Sequence, residues 1–112
     1  MPLVPVKKLP PMLEKDFQKS VIELAQTLGW KVAHFRAART KHGWATPVAA
    51  DGKGFPDLCM MRYERIVFAE LKRRGKKPGL EQEDWHQTIR RTTAEMYIWT
   101  EDDLEEIMEV LR

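Results

Sequence analysis

The chain has 112 residues, 43% of them hydrophobic and 32% charged, with a formal net charge of +2. That suffices for one small domain with a real core, while no apolar run approaches the roughly 18 residues that span a bilayer. Prolines and lysines break up the first valines and leucines, which excludes the continuous apolar core of a signal peptide and points to a cytoplasmic protein.

Residues 1–11 contain Pro2, Pro5, Pro10 and Pro11 and read as an extended, flexible arm, leaving residues 12–112 as a single domain. A helix should follow, because Leu13, Phe17, Val21, Leu24, Ala25 and Leu28 recur at spacings of three and four. Gly29 is a natural stop. Residues 30–35, WKVAHF, read as a short strand. His34 and Arg36 share one face of it. They either meet nucleic acid or, for the histidine, find a partner within the sheet.

Residues 36–56 show no period and carry Gly43, Pro47, Gly52, Gly54 and Pro56. A loop of that length in a small domain is usually functional, and it contains Arg36, Arg39 and Lys41. Residues 57–61 and 66–72 read as two strands joined by a tight turn at Arg62-Tyr63-Glu64-Arg65. Cys59, the single cysteine, excludes an intrachain disulfide and reads as a small buried hydrophobe.

Five of the six residues 72–77 are basic, namely Lys72, Arg73, Arg74, Lys76 and Lys77. Such patches attract phosphate backbones, although a solvated charged surface is the plainer alternative. A second helix is expected over 80–92, with Gln82, Trp85, His86 and Ile89 on one face. Trp85 reads as core rather than as a base-stacking platform. Residues 95–99 form another strand. Thr100, with Asp103 three residues on, marks the start of a last helix that places Leu104, Ile107, Met108 and Leu111 on one face. His34, His42 and His86 lack zinc-ligand spacing. The order α-β-β-β-α-β-α implies an α/β domain, a mixed sheet flanked by helices.

The chemistry concentrates in GFPDLCMMRYERIVFAELK, residues 54–72. If Arg62 faces Arg65 across the turn, counting outward places Asp57 opposite Glu70. Directly opposed side chains share a face, with Cβ atoms about 4.5–5.5 Å apart. Two carboxylates so placed repel unless a proton or a cation intervenes, and a hard cation such as Mg²⁺ takes oxygen ligands. Lys72 shares Glu70's face by the period of two, while Val67, Ala69 and Leu71 point the other way. Two acids and a lysine suit phosphodiester hydrolysis at a metal. An ordinary strand salt bridge, with Asp57 starting a turn, is the competing reading. Glu14 projects within about 20° of Val21 and Ala25 on the first helix. It is either part of the site or a first-turn acid favoured by the helix dipole. Gln82 orients a ligand or is a plain exposed polar residue.

Taken together, Glu14-x-x-Phe17-Gln18, Gly54-Phe55-Pro56-Asp57, Phe68-Ala69-Glu70-Leu71-Lys72 and Gln82 resemble the VRR-NUC family of the PD-(D/E)XK nuclease superfamily. The resemblance covers residues 13–111 and is to the stand-alone type of phages and bacteria. It implies a restriction-endonuclease-like fold and Mg²⁺ (or Mn²⁺) held by Asp57, Glu70 and the Leu71 carbonyl. Lys72 would assist the attacking water, Glu14 would act on metal-bound water or a second metal, and Gln82 matches a downstream glutamine. It implies 5′-phosphate and 3′-hydroxyl products, a homodimer and branched DNA such as a Holliday junction as substrate. Backbone contacts would come from His34, Arg36, Arg39, Lys41, Arg73, Arg74, Lys76 and Lys77. The loop before Gly54 is longer than the family's minimal pattern, so a flap or duplex substrate stays open. A non-catalytic nucleic-acid-binding module is the rival from another class.

Overall fold

The computed structural model describes residues 14–35, 38–41, 43–45 and 48–112. The arm over residues 1–11, Leu13, Arg36 and His42 lie outside them. Helix α1 (Glu14–Thr27) buries Phe17, Val21 and Ala25, with Leu24 and Leu28 packed on the same cluster. Its end is set locally. Gly29 adopts φ +89°, and the Trp30 and Gly29 amides donate to the Ala25 and Gln26 carbonyls. This is a Schellman closure, which needs a left-handed residue and so favours glycine.

Strand β1 (Lys31–His34) follows. Strands β2 (Ala38–Thr40) and β3 (Gly43–Ala45) form a small separate hairpin. It sits within the stretch expected to be an irregular loop. Three-residue strands are too short to show a period of two, so the pairing left no pattern to read. Strand β4 (Leu58–Arg62) and β5 (Arg65–Leu71) pair antiparallel with Arg62 opposite Arg65, the register expected from the turn. The reversal uses a left-handed Tyr63, φ +53°, since two-residue hairpin turns need a positive φ to match strand twist.

Helix α2 (Leu80–Arg90) carries the chain to β6 (Glu95–Trp99), which pairs with β5 in parallel. The sheet order is β1-β4-β5-β6. Thr100 then caps a single 3-10 turn (Glu101–Asp103) that runs into α3 (Leu104–Leu111). The Thr100 amide donates to Asp103 Oδ2 at 2.7 Å, the reciprocal cap expected from the sequence.

The two faces of the sheet differ. On one, Leu58, Met60, Val67, Ala69, Leu71 and Trp99 pack against α1 and against Ile107 and Leu111 of α3. The other face carries Phe68, Glu70 and Met96 and is covered by α2, which buries His86 and Ile89 against it. Trp30 ties the first layer together. Its indole N–H donates to the Leu111 carbonyl at 2.8 Å, and the guanidinium groups of Arg62 and Arg65 lie 4.6 and 5.0 Å from its ring centre. Arg62 also donates to the carbonyls of Leu28 and Leu111.

Two sequence expectations need correction. Leu104 and Met108 are 41% and 55% exposed. The buried edge of α3 is Ile107 and Leu111 with Val110 beside them, and Leu104 and Met108 are turned about 60° and 100° from Ile107. Cys59 is half-buried rather than buried, because it alternates with Leu58 and Met60 and so faces the second, less crowded side of the sheet. Burial still pushes its thiol pKa up.

Candidate active site

Asp57 immediately precedes β4. Leu58 pairs with Ala69, so one step outward Asp57 comes opposite Glu70. Asp57 Oδ2 accepts a hydrogen bond from the Leu71 amide at 2.8 Å. The carboxylate thus takes the place of a strand partner where the β4–β5 ladder runs out, which fixes its direction. Its own carbonyl accepts from the Phe35 amide.

The segment before Asp57 is held from three sides. Phe55 makes edge-to-face contacts with Phe35, Phe68 and Trp85 at centroid distances of 5.3, 5.6 and 5.0 Å. Each such pair contributes about 0.5–1.5 kcal/mol beyond its buried area. Trp85 is half-buried within this cluster and its indole N–H donates to the Asp51 carbonyl; it packs on Phe55 outside the main core, where the sequence suggested a core residue. Pro56 is fully buried. A shallow cavity lined by Asp51, Lys53, Leu80, Glu81, Asp84 and Trp85 lies beside this cluster and does not include Asp57 or Glu70.

Glu70 is 1% exposed. Burial, then the hydrogen bond and the charge of Asp57, push its carboxyl pKa up to about 9, against a smaller opposing pull from Lys72. Its Oε1 is buried without a hydrogen-bond partner among the described residues. The two carboxylates therefore cannot both carry charge near neutral pH unless a cation joins them. This has a measurable consequence in chelator. An unfolded glutamate loses its proton near 4.5, whereas folded Glu70 keeps it to about 9. The folded state binds the extra proton across that window, so stability should fall as pH rises through it. Urea melts in chelator should show that decline, and Glu70→Gln should flatten it. An unchanged slope in Glu70→Gln would assign the dependence to another group.

Lys72 extends from the end of β5, where its amide donates to the Trp99 carbonyl. Its Nζ donates to Gln82 Oε1 at 2.8 Å, and the Gly79 amide donates to the same oxygen at 2.8 Å. Gln82 is the third residue of α2, reaching back to close the helix start. One amide oxygen thus caps α2 and holds Lys72, whose charge is felt at Glu70. The cap was not anticipated from sequence, although a glutamine three residues after a helix start is its signal.

Glu14 opens α1 and is exposed, yet its charge reaches Glu70 and adds to the repulsion there. His34 closes β1 opposite Leu58. Paired residues share a face, so it lies on the α1 side, away from Asp57 and Glu70. Arg73, Lys76 and Lys77 are exposed in the β5–α2 loop, and Lys41 is exposed at the β2–β3 turn. Arg39 lies in β2; its side chain is outside what the structure describes. Arg74 is held in a two-pronged pair by Asp102 at 2.8 and 2.7 Å, with Glu101 at 3.6 Å, so its charge is matched within the protein. Sequence reasoning missed this latch and missed the buried Glu101. It also left His86 without a role, although His86 shares the helical face of Gln82. Among the described residues no group of three or more His, Cys, Asp or Glu side chains is arranged around one point to hold an ion. Asp57 and Glu70 are the pair that could, with backbone oxygen and water completing the shell.

No helix among the described residues is long and apolar enough to cross a membrane. No protein-family model matches this sequence, and no curated protein matches it. Among solved structures, one described as a VRR_NUC domain is similar to this chain, with a TM-score of 0.64 and 23% identity over 86% of this chain and 94% of that one. The mixed sheet, its element order and the three flanking helices agree with that likeness, and the chain has the restriction-endonuclease-like fold of a VRR_NUC domain.

Proposed function

We propose that this chain is a VRR-NUC nuclease that hydrolyses DNA phosphodiester bonds with the help of a divalent cation, Mg²⁺ or Mn²⁺. The observation that carries this reading is the meeting of Asp57 with a buried Glu70 carboxylate, whose Oε1 has no hydrogen-bond partner among the described residues, beside a lysine fixed by Gln82. Asp57, Glu70 and the Leu71 carbonyl would hold the cation. Such a hard cation keeps several waters, so two carboxylates are an adequate anionic share. When bound, it polarises a phosphoryl oxygen and makes water a better nucleophile.

The remaining work falls to protein groups. Lys72 orients the attacking water and offsets negative charge developing on the phosphate. Gln82 keeps Lys72 extended toward that position rather than in solvent. Asp57 is held by the Leu71 amide, so little reorganisation is needed when the cation binds. Glu14, at the mouth of the site, acts on water or on a second metal. Arg73, Lys76 and Lys77, with Lys41, Arg39 and Arg36, supply backbone contacts that are independent of base sequence. Branched DNA is the first-choice substrate, cut by a homodimer that presents two such sites.

Incubation with a labelled four-way junction, with Mg²⁺ and with chelator, tests the reading. Wild type should cut only with metal. Lys72→Ala should bind the junction and cut about 10²–10³-fold more slowly, the range for losing one donor to developing charge. Binding without cleavage of branched, flap or linear DNA would favour a non-catalytic module. A strictly monomeric species in sedimentation would count against paired cutting.

A further inference from the structure

His86 has no part in the chemistry described so far. It lies one turn beyond Gln82 on α2, under the face of β5 that carries Glu70. The side chains of His86 and Glu70 are 1% and 2% exposed, and His86 Nε2 stands 3.5 Å from Glu70 Oε1. Neither atom has a hydrogen-bond partner among the described residues. Two buried, complementary polar atoms facing each other just beyond hydrogen-bond range need only a few tenths of an ångström to engage.

We propose that His86 is a positioning residue for Glu70, its Nε2–H donating to Glu70 Oε1 when that carboxylate is ionised on a divalent cation. The inference rests on the metal-site reading above. The donated bond leaves the other carboxylate oxygen for Asp57 and the cation and fixes the rotamer in which it points there. A neutral imidazole suits this place, because it donates a proton without bringing a positive charge that would compete with the cation. The near-complete burial of the ring is the kind of setting that disfavours the charged form. Groups that support a metal ligand from behind typically change metal affinity by about 10–100-fold when removed.

The test is Mn²⁺ binding, read by electron paramagnetic resonance on wild type, His86→Leu, His86→Gln and Asp57→Ala, with melting curves to establish folding. His86→Leu keeps the bulk and removes the donor, and its Mn²⁺ affinity should fall about 10–100-fold. His86→Gln places an amide N–H near the position of Nε2 and should recover most of the loss. A role in packing alone would not be rescued in this way. Wild-type Mn²⁺ affinity in a folded His86→Leu would overturn the assignment while leaving the metal site intact. Wild type binding no more Mn²⁺ than Asp57→Ala would sink the metal site and this inference with it. Should His86→Leu fail to fold, long-range ¹H–¹⁵N spectra of the unaltered protein loaded with a diamagnetic cation, Mg²⁺, decide the matter. Protonation on Nε2 supports the inference; a neutral ring protonated on Nδ1 overturns it.

Discussion

Asp57→Asn should abolish cleavage while leaving the fold almost untouched, and Asp57→Ala should damage both. The side chain has two separable tasks. Its Oδ2 accepts the Leu71 amide at 2.8 Å, which an asparagine carbonyl can also do. Its negative charge, which asparagine lacks, is half of what Asp57 and Glu70 offer a cation. Losing an anionic ligand forfeits several kcal/mol of transition-state stabilisation, so cleavage by Asp57→Asn should drop about 10³-fold or more. Its stability in chelator should stay within about 1 kcal/mol of wild type, because the hydrogen bond persists. It should even gain, since the repulsion that raises the Glu70 pKa is relieved. Asp57→Ala strands the Leu71 amide and should lose about 1–3 kcal/mol as well as activity. Junction cleavage and urea denaturation read the two effects separately. Cleavage by Asp57→Asn at the wild-type rate would remove Asp57 from the site. Wild-type stability in Asp57→Ala would remove the anchoring role.

Gly54→Ala should be the most damaging of the glycine-to-alanine changes. Gly54 has φ +86°, and an added Cβ would stand 2.6 Å from the Glu81 carbonyl carbon and 2.8 Å from the Gln82 amide nitrogen. Both obstacles are backbone in the first turn of α2, which cannot swing aside as a side chain can. Left-handed strain and overpacking each cost about 1–3 kcal/mol, so a loss of about 2–6 kcal/mol is expected. The functional effect should exceed what that loss alone implies. Pushing the first turn outward moves Gln82, and with it the oxygen that holds Lys72. A thermal melt combined with cleavage measured well below the transition separates these effects. Gly43→Ala is the control: it also has a positive φ, +112°, but no described atom within 4 Å of an added Cβ. Equal loss in both variants would mean that backbone strain, and not the approach to α2, sets the cost.

Much of the placement of the candidate site is legible in the sequence. A period of two, a two-residue turn and one buried face leave a hairpin only one register, so Asp57 opposite Glu70 followed from counting outward from Arg62 and Arg65. The end of α1 at Gly29 and the Thr100–Asp103 cap were readable for a related reason. Each is closed by residues within five positions of one another. The β2–β3 hairpin was not, because three-residue strands carry too little pattern.

What remained hidden depends on how α2 lies across the sheet. Nothing near His86 in the chain announces Glu70, which stands 16 positions earlier; only the seating of α2 on the far face of β5 brings Nε2 within 3.5 Å of Oε1. The same seating makes Gln82 the anchor of Lys72, and makes Gly54 the one residue small enough to let the loop pass α2. Arg74 looked like one more phosphate ligand in a basic run until the turn after β6 put Asp102 and Glu101 against it. The pairing of Asp57 with Glu70 is therefore a local property, set by strand geometry and turn length. The means by which it is held, buried and supplied with a lysine are long-range properties, because the groups responsible meet only after α2 and β6 have packed.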